Sequence, residues 1–204
     1  MTRESLDFRI EDGIGHLVLD NPPKNEMNAA FFDAFDRFMR TEFPGLRVQG
    51  LVVRGAGRHF SSGADTDELI RMARGNHALG DYLGANIRAF AALEQATFPV
   101  VAAISGCCLG AGLELALACR FRVACRGAVF ALPEAGFGLM PGCGGTVRLA
   151  LTAGRATAVE MALSGRTVSA EEARERGFID AMAERKELIA AATGLIRASN
   201  RRVS

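Results

Sequence analysis

Residues 98–120, FPVVAAISGCCLGAGLELALACR, constrain this chain more than any other stretch. A proline-punctuated apolar run rich in Val and Ile has the length of a buried strand. Ser105-Gly106 and Gly110-Ala111-Gly112 interrupt it, and a Leu/Ala segment of high helix propensity follows. The pattern predicts strand, glycine-rich turn and helix. One carboxylate, Glu114, stands in this apolar block, in the first turn of the expected helix.

On the residues alone three readings are open. The block has nearly the length of a membrane span, but Pro99, the glycines and Ser105 break it, and no charged or aromatic anchors flank it. It suits a plain buried strand and helix with Glu114 turned to solvent, because acidic residues favour helix N-termini in any case. It also suits a site, in which N–H groups freed at a helix start stand beside a carboxylate.

The rest of the chain bounds these readings. A chain of 204 residues, 49% of them hydrophobic, can bury a sizeable core in one domain. A formal net charge of +1 gives no electrostatic reason to expect nucleic acid or a membrane surface as partner. The start is polar and charged, and the five cysteines are odd in number with Cys107 and Cys108 adjacent, so neither a secretory signal nor a disulfide framework is expected. Cys119, Cys125 and Cys143 read as small buried thiols. The expected location is cytoplasmic.

Residues 6–10 and 15–19 alternate as strands around Asp12-Gly13, a strong hairpin signal. Asn28 is placed to cap a helix whose Phe31, Phe35, Phe38 and Met39 form one apolar face. Residues 51–53 read as a buried strand, 66–74 as a helix, and 77–96 as a second helix with Leu79, Leu83, Ile87, Phe90 and Leu93 at helical spacing. Short strands are expected at 121–124 and 129–132, a long glycine loop at 136–145, and helices from about 146, over 156–164, 170–176 and 184–199. Strands alternating with helices argue an α/β fold.

Familiar motifs do not account for the glycines. No Gly-Lys-Ser/Thr follows any cluster, Gly110-Ala111-Gly112 lacks the third glycine of a dinucleotide fingerprint, and no serine sits in a nucleophile elbow. His16, His59 and His77 are not spaced for a metal, and none is expected. What remains is a pair of glycine-bearing turns, at 62–65 and 110–112, with two carboxylates, Glu114 and Glu134, in otherwise apolar sequence. Converging N–H groups would hold an oxyanion, and two carboxyls in unlike surroundings could divide acid and base roles.

Four ordered blocks then carry a resemblance. FSSGAD at 60–65, PVVAAISGCCLGAGLELA at 99–116, Pro133-Glu134 with MPGCGGT at 140–146, and NPPKNEMN at 21–28 resemble the signature blocks of the enoyl-CoA hydratase/isomerase (crotonase) family. The resemblance runs from about residue 6 to about residue 180. It implies a crotonase-like (ClpP/crotonase) spiral of ββα repeats over 1–183 with a short C-terminal helical segment, 184–204, and a homotrimer or hexamer. It implies an acyl-CoA thioester as partner and no cofactor, coenzyme A being part of the substrate. By position, the backbone N–H groups of Ala64 and Ala111 become the oxyanion hole, and Glu114 and Glu134 the two catalytic glutamates. Lys24, Met27, Ser62, Asp65 and Thr66 become the coenzyme A contacts, with Lys24 meeting a phosphate. The implied reaction is syn addition of water to a 2-enoyl-CoA, or the reverse dehydration. Glu114 would activate water for C3 and Glu134 would protonate C2.

The chain also departs from the family pattern. Ala111 stands where glycine is usual, and its Cβ fits only if the turn places no positive φ there. Asn25-Glu26-Met27 differs from the common spacing, and the C-terminal helical region is shorter than usual. Two other readings stay open: a different enolate reaction such as isomerisation, which in this family generally needs only a carboxylate at the position of Glu134, and a weakly or non-catalytic acyl-CoA-binding or assembly subunit. Leu69, Met72, Phe137 and Met140 could line an acyl pocket but read more simply as core.

Overall fold

The computed structural model describes residues 5–74 and 78–201; residues 1–4, His77 and Arg202 lie outside them. The chain opens with the expected hairpin of β1 (Leu6–Glu11) and β2 (Ile14–Leu19). Asp12 and Gly13 turn it with φ of 49° and 75°, the left-handed pair that a two-residue turn between twisted strands requires. Helix α1 (Ala29–Thr41) starts where Asn28 accepts the Phe31 amide at 3.0 Å. Strand β3 (Gly50–Gly55), α2 (Thr66–Arg74), α3 (Ala78–Glu94), β4 (Val100–Ile104), β5 (Cys107–Leu109) and α4 (Ala111–Ala118) follow. Then come β6 (Phe121–Cys125), β7 (Val129–Ala131), α5 (Gly145–Ala153), α6 (Arg155–Ser164), β8 (Val168–Ser169), α7 (Ala170–Glu175), β9 (Ala181–Ala183) and α8 (Leu188–Arg201).

A six-stranded sheet runs β1-β2-β3-β4-β6-β9, parallel throughout except for the opening hairpin. Both faces are covered, which is why β4 can be the unbroken apolar run VVAAI. Val100, Ala102 and Ile104 point into the main core with the residues of α1, α3 and α4. Val101 and Ala103 point the other way, into a second cluster closed by Leu188, Ala192 and Ile196 of α8. The phenylalanine stripe of α1 packs as expected, with Phe35 meeting Phe90 edge-on at 5.6 Å.

A second, three-stranded sheet runs β5-β7-β8, and Ser61 extends it by a bridge to Cys108. The chain thus lays one strand in the large sheet, a shorter one in the small sheet, and then a helix. β4-β5-α4 is the complete unit. This is the α/β arrangement that the family resemblance implies.

Several elements differ from the sequence reading. The single turn expected over 105–112 contains β5, and the expected glycine loop begins within a 3-10 turn at Pro133–Phe137. β8 and β9 exist only through partners distant in sequence, Val129 opposite Ser169 and Val123 opposite Ala181, so local propensity does not announce them. Ile87 keeps the helical spacing of α3 yet is exposed, while Phe90 and Leu93 are buried. Among the described residues no helix is long and apolar enough to cross a membrane.

Candidate active site

The focal strand, turn and helix form one wall of a cavity of ≈320 Å³. α2, α3 and the loop around residues 137–143 form the others. Its lining is mostly apolar, with Glu114, Glu134, Ser62, Thr66 and Asn86 as polar side chains and the backbone of residues 63–64 and 110–111 at one end.

The two glycine-bearing turns meet there. A Cβ on Gly63 would lie 2.7 Å from the Leu109 carbonyl oxygen and 3.5 Å from the Ala111 nitrogen, so only a bare backbone can approach this closely. Gly110 takes φ 50° and ψ −125°, conformational space open essentially to glycine, and its missing Cβ would be 3.0 Å from Oε1 of Glu134. The positive φ therefore falls on Gly110. Ala111 is the first residue of α4, so its Cβ is accommodated and its amide stays free of the helical ladder. Among the described residues the Ala64 amide likewise has no acceptor in the protein, because the neighbouring Met27 bridge uses the Gly63 carbonyl and the Asp65 amide instead.

Glu114 does not face solvent: it is 2% exposed. Its Oε1 accepts the amides of Cys143 and Gly145, each at 2.8 Å, where the chain enters α5. Burial pushes its carboxyl up from the ordinary range, and the Gly145 and Cys143 amides and the Arg148 guanidinium oppose that rise. Arg148, also buried, donates to the Cys143 carbonyl and forms a two-pronged ion pair with Glu94 at 2.8 and 3.2 Å.

Glu134 sits in different surroundings. It begins the 3-10 turn after β7, is half-buried, and its Oε2 has no hydrogen-bond partner. Burial pushes its carboxyl up to about 7; a hydrogen bond from its own backbone amide opposes the rise, and the nearby charge of Glu114 adds to it. One carboxylate is held by two amides of the segment entering α5 and the other keeps one buried oxygen unpartnered, so their chemistry at neutral pH differs.

The profile of the enoyl-CoA hydratase/isomerase family matches residues 9–203. The chain belongs to that family. It is 40% identical over 198 residues to Bacillus subtilis (strain 168) YngF, whose name carries the enoyl-CoA hydratase/isomerase designation, covering 92% of this chain and 75% of that protein. It is 38% identical over 186 residues to the peroxisomal fatty acid beta-oxidation multifunctional protein MFP2 of Arabidopsis thaliana, covering 89% of this chain but only 25% of that one. An enoyl-CoA hydratase homologue of Thermobifida fusca YX, solved in complex with CoA, superposes with a TM-score of 0.85 at 27% identity, covering 97% of this chain and 79% of that one. The family is one of enzymes, lyases and isomerases acting on acyl-CoA thioesters.

Not all residues that the family resemblance singles out reach the cavity. Ser62 and Thr66 line it, and Ser62 Oγ is buried without a partner. Lys24 is exposed beside it, its carbonyl accepting the Ser62 amide at 3.0 Å. Asp65 is spent on capping α2, accepting the Glu68 amide at 3.0 Å. Met27 is fully buried in the core with both backbone groups used, its amide by Gly63 and its carbonyl by Asp65, so it offers a ligand no surface. Leu69 lines the cavity and Met72 does not. The core reading fails for Phe137 and Met140, which are 52% and 60% exposed at the cavity rim. The 3-10 turn that ends at Phe137 buries none of its residues.

Sequence reasoning missed the supports. Asn25, with φ 52°, donates to the Ala56 and His59 carbonyls at 2.9 and 2.7 Å. Ser61 donates to the Asn25 carbonyl at 2.6 Å and accepts the Gly63 amide at 3.0 Å, fixing the turn that presents Ala64. A serine at the head of a glycine turn and an asparagine after Pro-Pro-Lys were the available signals. Among the described residues no three of His, Cys, Asp and Glu gather as a metal site would need.

Proposed function

We propose that this chain adds water across the C2–C3 double bond of 2-enoyl-CoA thioesters, or runs the reverse dehydration. The observation that carries the reading is the unlike pair Glu114 and Glu134 in one cavity with the free amides of Ala64 and Ala111. The thioester oxygen would lie between the two amides, where each donor aimed at a developing enolate is worth roughly 3 kcal/mol. Glu114, in its ionised form and oriented by the two amides on Oε1, takes a proton from water as the water oxygen bonds to C3. The C2–C3 π electrons move into the enolate, which collapses as Glu134 gives its proton to C2. The net change is one water added, with the proton on Glu114 restored to Glu134 through solvent. A carboxyl near pH 7 suits the donor role, because its acid form is present at neutral pH.

Lys24, Ser62 and Thr66 would hold the coenzyme A portion, Lys24 as a point charge for a phosphate. The exposed apolar faces of α5 and α6 support assembly with further copies as a trimer or hexamer.

The test is the loss of conjugated-thioester absorbance with crotonyl-CoA, run beside Glu114→Gln and Glu134→Gln with folding checked. Hydration by the wild type that collapses in both variants supports the mechanism. Activity surviving both substitutions would sink it. Double-bond migration that survives Glu114→Gln but not Glu134→Gln would make the chain an isomerase instead.

A further inference from the structure

Asn86 stands apart from the groups assigned so far. It lies on α3, is 3% exposed, lines the cavity, and its Nδ2 is buried without a hydrogen-bond partner. Its neighbours along the same helix face show where it sits. Leu83 reaches within 3.0 Å of the place a Cβ on Gly142 would occupy, and Phe90 packs against Phe32 and Phe35. Asn86 therefore interrupts a wall that is otherwise made of apolar side chains. A buried N–H donor without a partner destabilises the empty protein, and an alkyl chain laid against it would leave that cost in place.

We propose that Asn86 is a specificity-determining residue that selects acyl-CoA thioesters carrying a hydroxyl group on the acyl chain beyond C3. The inference rests on the enoyl-CoA reading of the site, in which the amides and the two glutamates engage C1 to C3. What reaches the α3 wall is then the continuation of the acyl chain. A hydroxyl fits because its oxygen accepts a hydrogen bond from the unpartnered Nδ2. A carboxylate does not fit, since among the described residues no lysine or arginine lines the cavity while Glu114 and Glu134 both do. Sites built to pair with a substrate hydroxyl reject the analogue that lacks it far more strongly than apolar pockets reject an extra methylene.

The test compares kcat/KM for 2-hexenoyl-CoA with its 4-, 5- and 6-hydroxy forms in the wild type and in Asn86→Leu, with Asn86→Ala measured in parallel as a variant that adds no bulk. The expected result is a preference of about 10-fold or more for one hydroxylated thioester in the wild type, reversed or abolished in both variants. Equal kcat/KM with and without the hydroxyl would overturn the proposal and leave Asn86 as the partner of a buried water. So would a loss in the variants by the same factor on every substrate, which would place Asn86 at the reacting centre. Should no thioester be hydrated, the hydratase reading fails separately, and calorimetry with hexanoyl-CoA and its 4-, 5- and 6-hydroxy forms decides for Asn86. Tighter binding of a hydroxylated form that disappears in both variants supports the proposal, and equal Kd values overturn it.

Discussion

Arg148 donates to the carbonyl of Cys143, and the amide of that same Cys143 donates to Oε1 of Glu114 at 2.8 Å. The backbone of Cys143 is thus held on both sides, its amide by the Glu114 carboxyl and its carbonyl by the Arg148 guanidinium. Arg148 is itself held by the two-pronged pair with Glu94. Replacing it with Met should loosen the turn at 143–145 and remove a cation that opposes the rise of the Glu114 carboxyl. With Glu114 as the base, kcat should fall on the order of 100-fold through misplacement alone. The acid limb of the pH profile should move to higher pH, because the ionised base is then reached later. Arg148→Lys keeps the charge without the fork and should recover only part of the loss. pH–rate profiles of the three proteins, with melting curves to check the fold, decide the matter.

Glu134 makes a prediction that needs no substrate. Its carboxyl is pushed up to about 7 in the folded chain, mainly by burial, so the folded state holds a proton that the unfolded chain has already released. Stability contributed by this group is complete below the ordinary glutamate range and is lost as pH rises toward 7. Melting temperature should therefore decline through that window, and Glu134→Gln should flatten the decline. In catalysis the same titration should lower the hydration rate above about pH 7, as the proton donor is lost. A melting profile in Glu134→Gln that matches the wild type across this window would show that the group titrates normally.

Much of this architecture can be read locally. Asp12-Gly13, the Asn28 cap and the run VVAAI are each short-range signals of a turn, a helix start and a doubly covered strand. Glu114 and Glu134 stand out because carboxylates are rare in apolar sequence. Arg148 does not, because an arginine on a helix ordinarily marks the solvent face. It is buried only because Glu94, 54 residues earlier, is brought beside it. Asn86 is hidden for the same reason: in an amphipathic pattern a polar position is assigned outward, and only the packing of Leu83 on Gly142 and Phe90 on Phe32 turns it inward. Phe137 and Met140 erred in the opposite sense, since hydrophobicity predicts burial only for residues on an element with a face to bury.

The geometry at Gly110 predicts a variant that separates fold from function. Gly110→Ala would place a Cβ in a backbone conformation that L residues avoid and 3.0 Å from Glu134 Oε1. The backbone strain alone should cost about 1–3 kcal/mol of stability. Relief by rotating the turn would swing the Ala111 amide away from its place beside Gly63. The expected outcome is a folded protein with a modestly lower melting temperature and a loss of kcat/KM of about 100-fold or more, the scale of one lost oxyanion donor. Unchanged kinetics in a folded Gly110→Ala protein would remove the Ala111 amide from the reaction.

Val147 and Leu151 stand one turn apart on α5, and Val159 and Leu163 one turn apart on α6. All four are exposed, Leu151 to 81% and Leu163 to 68%, and the two helices pack directly against one another. α6 also packs on the 3-10 turn that ends at Phe137, which is exposed with Met140 at the cavity rim, and apolar side chains this exposed call for a cover. If copies of this chain cover it, replacing Leu151 and Leu163 together with Glu should place like charges and desolvated carboxylates in each contact and dissociate the assembly. Light scattering during size-exclusion chromatography should then report a mass near 21.7 kDa, against a threefold or sixfold mass for the wild type. Because Phe137 and Met140 border the cavity, dissociation should also weaken acyl-CoA binding while leaving the Glu114 and Glu134 pH dependence intact. A wild-type protein that is already monomeric would assign this face to another partner.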